Sequence, residues 1–147
     1  MKLNIKKALS ELEINDAMMI RKKVFIQEQD VPVELEVDEF EAVSKHFIAY
    51  LDKAPVATGR MREFDGYIKF ERIASLKSMR GKGFGKKLMS YMQDYAEINY
   101  PKYKLKMHAQ ETAISFYTQI GWISIGEIFE EAGIKHQLMM YEPSRID

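Results

Sequence analysis

The sequence predicts a mixed α/β (α+β) fold, in which helices flank one central and mostly antiparallel sheet. Two observations predict it. Strand-like segments separated by short turns fill the first half of the chain, and a strand, a helix and a further strand follow in order in the second half. With 147 residues, 46% of them hydrophobic, the chain suits a single domain over residues 1–147 with one core.

The first predicted elements are a strand and a helix. Residues 3–9 alternate in polarity and fit a strand at the edge of a sheet. Asn15 and Asp16 are candidates to cap a helix, and apolar residues follow them at helical spacing, so we expect a helix to about residue 25. Regular structure should end before Pro32.

Three strands then form a meander. The strand-like segments cover residues 46–51, 56–62 and 67–76. Short turns at 52–55 and at Asp65-Gly66 join them. Turns this short connect antiparallel neighbours.

The second half predicts a long helix, a short strand, a short helix and two closing strands. The long helix follows an apolar stripe and stops before Pro101, and Gly121 ends the short helix. The expected bounds are residues 84–99, 104–109, 112 or 113 to 120, 122–128 and 134–140.

Residues 80–85, Arg-Gly-Lys-Gly-Phe-Gly, connect a strand to the long helix. A glycine-rich turn at a helix start leaves backbone N–H groups free, with the positive end of the helix dipole behind them, and lets a ligand approach closely. Between positions 77 and 87 there are no acids, but there are five basic residues: Lys77, Arg80, Lys82, Lys86 and Lys87. We interpret residues 80–85 as a phosphate cradle.

Spacing excludes two common phosphate motifs. A P-loop needs glycine at position 80 and serine or threonine at position 87, where the chain has Arg80 and Lys87. The dinucleotide fingerprint needs a third glycine at position 86 or 88, where the chain has Lys86 and Leu88. The pattern that remains is Arg-x-x-Gly-x-Gly.

A second motif covers residues 110–122, Gln-Glu-Thr-Ala-Ile-Ser-Phe-Tyr-Thr-Gln-Ile-Gly-Trp. In this order, the two patterns resemble the coenzyme A loop and the Asn-x-x-Ala-x-x-Phe-Tyr-x-x-x-Gly-Phe motif of the GNAT superfamily of N-acetyltransferases. Gln110 stands where Asn is usual, and Trp122 where Phe is usual. Residues 24–32 and 133–136 also resemble the small bacterial YjcF-like branch of that superfamily.

The resemblance implies a GNAT-like domain with acetyl-CoA (coenzyme A) as cosubstrate. The pyrophosphate would lie on the phosphate cradle, and the pantetheine arm would hydrogen-bond the backbone of the preceding strand. A backbone N–H near Ala74 would also polarise the acyl carbonyl, although an ordinary buried strand fits Ile73 and Ala74 equally well. The implied coenzyme-binding residues are Ile73, Ala74, Ser75, Arg80, Gly81, Lys82, Gly83, Phe84, Gly85, Lys86, Gln110, Ala113 and Phe116.

Tyr117 matches the superfamily tyrosine near the coenzyme sulfur, and we predict that it is the catalytic general acid. A phenol with a pKa of about 10 can protonate a leaving thiolate without ionising at neutral pH. Without the motif, a core tyrosine beside Phe116 would be the preferred interpretation.

The general base is predicted to be Glu71, which precedes the pantetheine strand segment. By strand alternation, Glu71 and Ile73 should share one face of the sheet, and Arg72 and Ala74 the other. Glu71 pairing with Arg60 or Arg62 on the neighbouring strand remains an equal alternative. His108, at the end of the following strand, is a second candidate for the base.

The predicted substrate-binding residues are Glu28, Gln29 and His108. Seven acids and no Lys or Arg occur between positions 24 and 44. This acidic segment would attract a cationic amine, but composition alone favours a solvated loop.

Composition limits the partners. The chain has no cysteine and three scattered histidines, so we expect no metal site. No apolar run reaches membrane-spanning length and no signal segment is recognised, so a cytoplasmic protein without membrane contact is expected. A net charge of zero argues against nucleic-acid binding. An exposed edge strand would permit a homodimer.

The predicted function is acetyl transfer from acetyl-CoA directly to a primary amine of a small-molecule or peptide substrate, catalysed by Tyr117 and Glu71. Two alternatives remain. The same fold would serve as a non-catalytic acyl-CoA sensor, or residues 77–87 would form a nucleic-acid patch. The second alternative is disfavoured by the zero net charge.

Overall fold

The structure, a computed structural model, describes residues 2–142. Its strands are β1 (Leu3–Lys7), β2 (Lys45–Leu51), β3 (Ala54–Phe64), β4 (Tyr67–Ser75), β5 (Lys104–Gln110), β6 (Ile123–Glu131) and β7 (Ile134–Tyr141). Its helices are α1 (Glu11–Arg21), α2 (Val33–Glu36), α3 (Phe84–Asn99) and α4 (Ile114–Gln119). A π-helical segment, Lys22–Glu28, continues α1, and 3₁₀ turns cover Lys77–Met79 and Glu111–Ala113.

The strands form one seven-stranded sheet in the order β1-β2-β3-β4-β5-β7-β6. Every neighbouring pair is antiparallel except β4 and β5, which are parallel. The helix α3 is the crossover between these two parallel strands, as a parallel pair requires. The predicted mixed and mostly antiparallel sheet is therefore confirmed.

The first helix starts earlier than the sequence prediction. Ser10 caps α1 by accepting a hydrogen bond from the N–H of Glu13, while the Glu13 side chain bonds back to the Ser10 N–H. This reciprocal capping box satisfies two end groups at once. Asn15 and Asp16 consequently lie inside the helix, and the prediction that they cap it was wrong. The helical path also runs on to Glu28, beyond the expected end near residue 25.

Helices cover both faces of the sheet. Phe47 and Ile48 are successive residues of β2 and point to opposite faces, because each belongs to a different buried cluster. On one face α3 buries Leu88, Met89, Met92 and Ala96, and on the other α1 buries Ala17 and Ile20. Each large apolar side chain buried in this way contributes roughly 1.5–3 kcal/mol.

The parallel strands β4 and β5 separate along their length. They pair only from Tyr67–Lys104 to Phe70–Met107, yet β4 continues to Ser75 and β5 to Gln110. Beyond Phe70 and Met107, the facing backbone edges of the two strands are not bonded to each other. This separation opens a cleft in the middle of the sheet.

A bulge in β4 lies at the start of the cleft. Thr58 pairs with Ala74 and Arg60 with Glu71, so Arg72 and Ile73 together face the single residue Gly59. Arg72 has a φ of 54°, in the left-handed region that costs an L-residue roughly 1–2 kcal/mol.

The bulge changes which side chains share a face. Ile73 packs on the α3 side, where its Cδ1 atom and the Sδ atom of Met92 would each lie 2.7 Å from a Cβ on Gly59. Glu71 and Arg72 both bond to groups on the opposite side, around α2 and β3. The expectation that Glu71 and Ile73 share one face was therefore wrong, because the extra residue breaks the strict alternation.

Candidate active site

The cleft between β4 and β5 holds a pocket of about 370 Å³. Its walls come from the separated ends of β4 and β5, the end of the helical segment after α1, the helices α2 and α4, and the β6–β7 turn. It brings together predicted site residues that are distant in sequence: Gln29, Glu71, Ile73, His108, Gln110, Ala113 and Tyr117.

The phosphate cradle lies at the start of α3. Gly81 and Gly83 have φ angles of 79° and 84°, which L-residues rarely adopt. Gly83 is the N-cap of α3, no side chain of the described residues caps this helix end, and the first backbone bond runs from the N–H of Lys87 to the C=O of Gly83. The N–H groups of Phe84, Gly85 and Lys86 therefore have no acceptor within the helix.

Space around the cradle fits a phosphate ligand. A Cβ atom on Gly81 or Gly83 would meet no heavy atom within 4 Å. At Gly85 a Cβ would lie 3.5 Å from Ser75 Oγ and 3.6 Å from Phe116 Cζ. The end of β4, the start of α3 and the helix α4 thus converge on one backbone position, and a side chain there would narrow the approach to the cradle.

Arg80 is engaged within the protein. Its guanidinium donates to both carboxylate oxygens of Glu28, at 2.6 and 2.8 Å, and to the backbone oxygen of Ser75. The hydrogen bond with Arg80 lowers the pKa of Glu28 below its ordinary value. Glu28 does not line the 370 Å³ pocket but a shallow surface depression beside Leu76 and Lys77. Glu28, one of the predicted substrate-binding residues, thus lies beside the phosphate cradle and not in the pocket.

Tyr117 projects from α4 into the pocket. Its side chain is 7% exposed and packs edge-on against Phe116 and Trp122, with ring centroids 5.1 and 6.4 Å away. Among the described residues, no group hydrogen-bonds its hydroxyl, yet the oxygen is not among the fully enclosed polar atoms. Burial raises the pKa of Tyr117 well above its ordinary value. The phenol is therefore protonated at neutral pH and faces the pocket.

Glu71 is surrounded by cations. Arg62 Nε donates to it at 2.7 Å and Arg60 Nη2 at 3.0 Å, and Lys69 Nζ lies 3.4 Å away. Burial alone would raise the pKa of Glu71, but the hydrogen bond from Arg62 and the charges of Arg60 and Lys69 outweigh it, and the pKa falls below its ordinary value. The sequence left open an ion pair of Glu71 with Arg60 or Arg62, and the structure contains this pair with both arginines.

Three further carboxylates of the acidic segment form ion pairs inside the protein. Arg21 is 1% exposed and bonds to Glu36 and Glu41, and Arg60 pairs with Asp38 and Glu41. Arg72 adds bonds to Asp38 and to two backbone oxygens of this segment. Glu36, Asp38 and Glu41 are therefore not free to attract a cationic amine, whereas Asp30, Glu34 and Glu39 are exposed. Sequence composition missed this because the partner arginines lie on α1, β3 and β4.

His108 has a partner that the sequence did not suggest. Its Nδ1 atom lies 2.9 Å from Oε2 of Glu131 at the end of β6, and its ring packs edge-on against Phe129 at 4.9 Å. His108, Glu131 and His136 all line the pocket. Glu131 and Phe129 occur in no motif, so only strand pairing brings them to the site.

Gln29 and Gln110 form a reciprocal amide pair. Gln110 donates to Gln29 at 2.9 Å, and Gln29 donates back at 3.3 Å. The pair connects the end of the helical segment after α1 to the end of β5. A predicted substrate-binding residue and a predicted coenzyme-binding residue thus meet in the pocket wall.

The comparison with known protein families identifies the family of the chain. The acetyltransferase (GNAT) domain family matches residues 7–143. The chain belongs to the GNAT acetyltransferase family. It is 40% identical over 134 residues to YjcF, an uncharacterized N-acetyltransferase of Bacillus subtilis (strain 168), covering 90% of this chain and 95% of YjcF. The predicted resemblance to the YjcF-like branch is confirmed.

Two solved structures have the same fold. An acyl-CoA N-acyltransferase from Pseudomonas aeruginosa is 26% identical with a TM-score of 0.84, over 95% of this chain and 98% of that one. Escherichia coli ElaA is 23% identical with a TM-score of 0.86, over 96% and 100% of the two chains. Membership of the GNAT family supports an acyl-CoA-dependent acyltransferase.

Two observations concern other kinds of site. Within residues 2–142, no group of three or more His, Cys, Asp or Glu side chains is arranged to hold a metal ion. In the same part of the chain, none of the helices combines the length and the apolar character that crossing a membrane demands.

Proposed function

We propose that the protein is an acetyl-CoA-dependent N-acetyltransferase that moves an acetyl group directly to a primary amine. The observation that carries this proposal is the protonated and unbonded hydroxyl of Tyr117, which faces a cleft opened by the separation of β4 and β5. The free N–H groups of the phosphate cradle lie at the end of the same β4 strand.

The residues present fit coenzyme A. The N–H groups of residues 84–86 and the exposed side chains of Lys82 and Lys86 suit the pyrophosphate, since backbone donors and cations both favour an anion there. The unpaired edge of β4 at Ile73, Ala74 and Ser75 offers backbone groups to the pantetheine arm. When bound, the coenzyme supplies an activated thioester. The N–H of Ala74 or its neighbour then polarises the carbonyl.

Tyr117 holds the proton for the leaving thiolate. A phenol is protonated at neutral pH, and the ring of Tyr117 is fixed by Phe116 and Trp122. A fixed donor with no competing acceptor needs no reorganisation before transfer.

The contacts in the cleft favour His108 over Glu71 as the base. Glu71 is a poor proton acceptor because three cations surround it. His108 uses Nδ1 to bind Glu131, which leaves Nε2 as the nitrogen that can take a proton from the amine, directly or through water. The carboxylate of Glu131 orients the ring through its contact with Nδ1, as in other carboxylate–histidine pairs.

The other candidate function is an acyl-CoA sensor without turnover. It shares the cradle and the cleft, but it gives no reason for an unbonded tyrosine hydroxyl in a buried setting. The test is thiol release from acetyl-CoA with amines of different classes: polyamines, aminosugars, amino acids and peptide N-termini. Release that depends on an amine and is lost in Tyr117→Phe supports the enzyme. Coenzyme binding without release by any amine would support the sensor.

A further inference from the structure

The carboxylates around the pocket all have partners inside the protein. Glu36 is bound by Arg21, Glu71 by Arg60 and Arg62, and Glu131 by His108. A second positive group on the acceptor would have to displace one of these side chains. Breaking a buried or half-buried ion pair leaves an uncompensated charge, which is costly.

The lysines at one side of the pocket have fewer carboxylate partners than Arg21 and Arg60 have. Lys69 lines the pocket, and within residues 2–142 its one carboxylate at ion-pair distance is Glu71 at 3.4 Å, which it shares with two arginines. Lys106 lies directly opposite Lys69 in the β4–β5 register, and no carboxylate within residues 2–142 forms an ion pair with it. Like charges at facing positions repel each other, so positive charge is in excess here.

Aromatic rings hold these cations in place. Lys69, Lys106 and Arg62 lie 5.6, 4.9 and 5.0 Å from the ring centroid of Phe64. Lys106 also lies 4.7 Å from the ring of Tyr67. We call these five residues the cationic rim. Cation–π contacts orient an ammonium group without neutralising its charge, so the rim keeps its attraction for an anion.

We propose that the acceptor is a small primary amine whose other end carries a carboxylate, which Lys69 and Lys106 bind at the cationic rim. This inference rests on the proposed acetyl transfer. The amine would enter the cleft towards Tyr117 and His108, and the carboxylate would stay at the pocket mouth. Charge complementarity selects this occupant, because the unpartnered charge beside the pocket is positive and the negative charges are already paired.

Three amines with six carbons each differ in the group at the far end of the chain: 6-aminohexanoate has a carboxylate, hexylamine a methyl group and 1,6-diaminohexane a second ammonium group. We expect kcat/KM for thiol release to be about tenfold or more higher for 6-aminohexanoate than for hexylamine, and lowest for the diamine. The advantage should shrink in high salt, because the rim is partly exposed. Equal values for the three amines, or a preference for the diamine, would overturn the inference.

Variants of the rim identify the binding residues. Lys106→Glu and Lys69→Gln should raise KM for 6-aminohexanoate about tenfold and should raise KM for hexylamine much less, because hexylamine has no carboxylate for the rim to bind. Lys102→Glu is the matched control, because Lys102 is an exposed residue of the turn before β5. Thermal unfolding verifies that each variant is folded. A wild-type KM in folded Lys106→Glu and Lys69→Gln contradicts the assignment.

A binding measurement separates this inference from the proposed function. Calorimetry with the coenzyme A-saturated protein should show 6-aminohexanoate binding that weakens in Lys106→Glu. Such binding without any thiol release would uphold the carboxylate site and defeat the enzyme proposal. Thiol release without a preference for the carboxylate would defeat the site alone. A much higher kcat/KM for an acidic peptide than for ω-amino acids of two to six methylenes would overturn the small-molecule acceptor.

Discussion

The Nδ1 atom of His108 lies 2.9 Å from Oε2 of Glu131, although their strands, β5 and β6, are not neighbours in the sheet. The contact reaches across β7 and places a carboxylate–histidine pair in the pocket wall beside His136, and the charge of Lys69 also helps to lower the pKa of Glu131. The hydrogen bond from His108 keeps the pKa of Glu131 below its ordinary value, so the partner stays ionised.

If His108 is the base, Glu131→Gln should lower kcat/KM about tenfold or more, because the ring loses the carboxylate that holds its Nδ1 atom. His108→Asn should lower kcat/KM at least as far. Glu130→Gln, on the neighbouring exposed position, is the control. A wild-type kcat/KM in Glu131→Gln would leave the pair a purely structural contact.

Tyr117→Phe should lower kcat by about 10²-fold or more because the leaving thiolate loses its proton donor. The coenzyme dissociation constant, measured by calorimetry, should stay within about twofold, since the ring and its packing remain. Tyr91→Phe on α3 is the control, since Tyr91 is 38% exposed. A Tyr117→Phe protein with wild-type kcat would exclude the acid role.

Gly83→Asp should weaken coenzyme binding by about tenfold or more, because it adds a negative side chain to the phosphate cradle. Gly66→Asp provides a matched control. Gly66 has a φ of 83° and Gly83 one of 84°, and neither has a heavy atom within 4 Å of a Cβ. The backbone strain of the two changes is therefore alike. Equal coenzyme affinity in the two variants, by calorimetry, would remove the cradle from the site.

Glu28→Gln should tighten coenzyme binding by about twofold to fivefold. The change removes a negative charge near the cradle and releases Arg80 from its two bonds with Glu28. The KM for the amine should not change, because Glu28 lies outside the pocket. Glu34→Gln, an exposed position on α2, is the control. A raised KM for the amine would instead return Glu28 to the acceptor site.

Acid should destabilise the fold through the carboxylates around Arg60. Burial opposes ionisation of Asp38 and Glu41, but hydrogen bonds from Arg60 and Arg21 outweigh it and lower both pKa values to about 2. Folded pKa values below the unfolded ones mean stabilisation that is present above about pH 4.5 and lost as pH falls towards 2. The free energy of unfolding in urea should decrease steadily over that range.

Asp38→Asn tests the source of this pH dependence. The variant should be less stable than wild type at pH 7 and should lose less stability between pH 5 and pH 2, because one of the shifted carboxylates is gone. Glu39→Gln, at the exposed neighbouring position, should match wild type both in stability at pH 7 and in the stability lost between pH 5 and pH 2. A slope in Asp38→Asn as steep as in wild type would assign the acid sensitivity to other groups.

Much of the fold follows from local patterns. The turn at Asp65-Gly66 and the stop before Pro101 are short-range signals, and α3 begins and ends where the apolar stripe predicts. The start of α1 was missed because Ser10 and Glu13 form a better cap than Asn15 or Asp16. The bulge at Arg72 has no local signal, since the residue adopting the left-handed conformation is not a glycine.

The sequence by itself determined the glycine-rich turn, the helix start after it and the motif that contains Tyr117, because each of them is written in consecutive residues. The tertiary structure alone decided which charges are free. Glu71, Glu36, Asp38 and Glu41 are paired with arginines from other strands and helices, while Lys106 has no carboxylate partner within residues 2–142. Pairing depends on distances between residues far apart in the chain, and the strand register and the bulge set those distances.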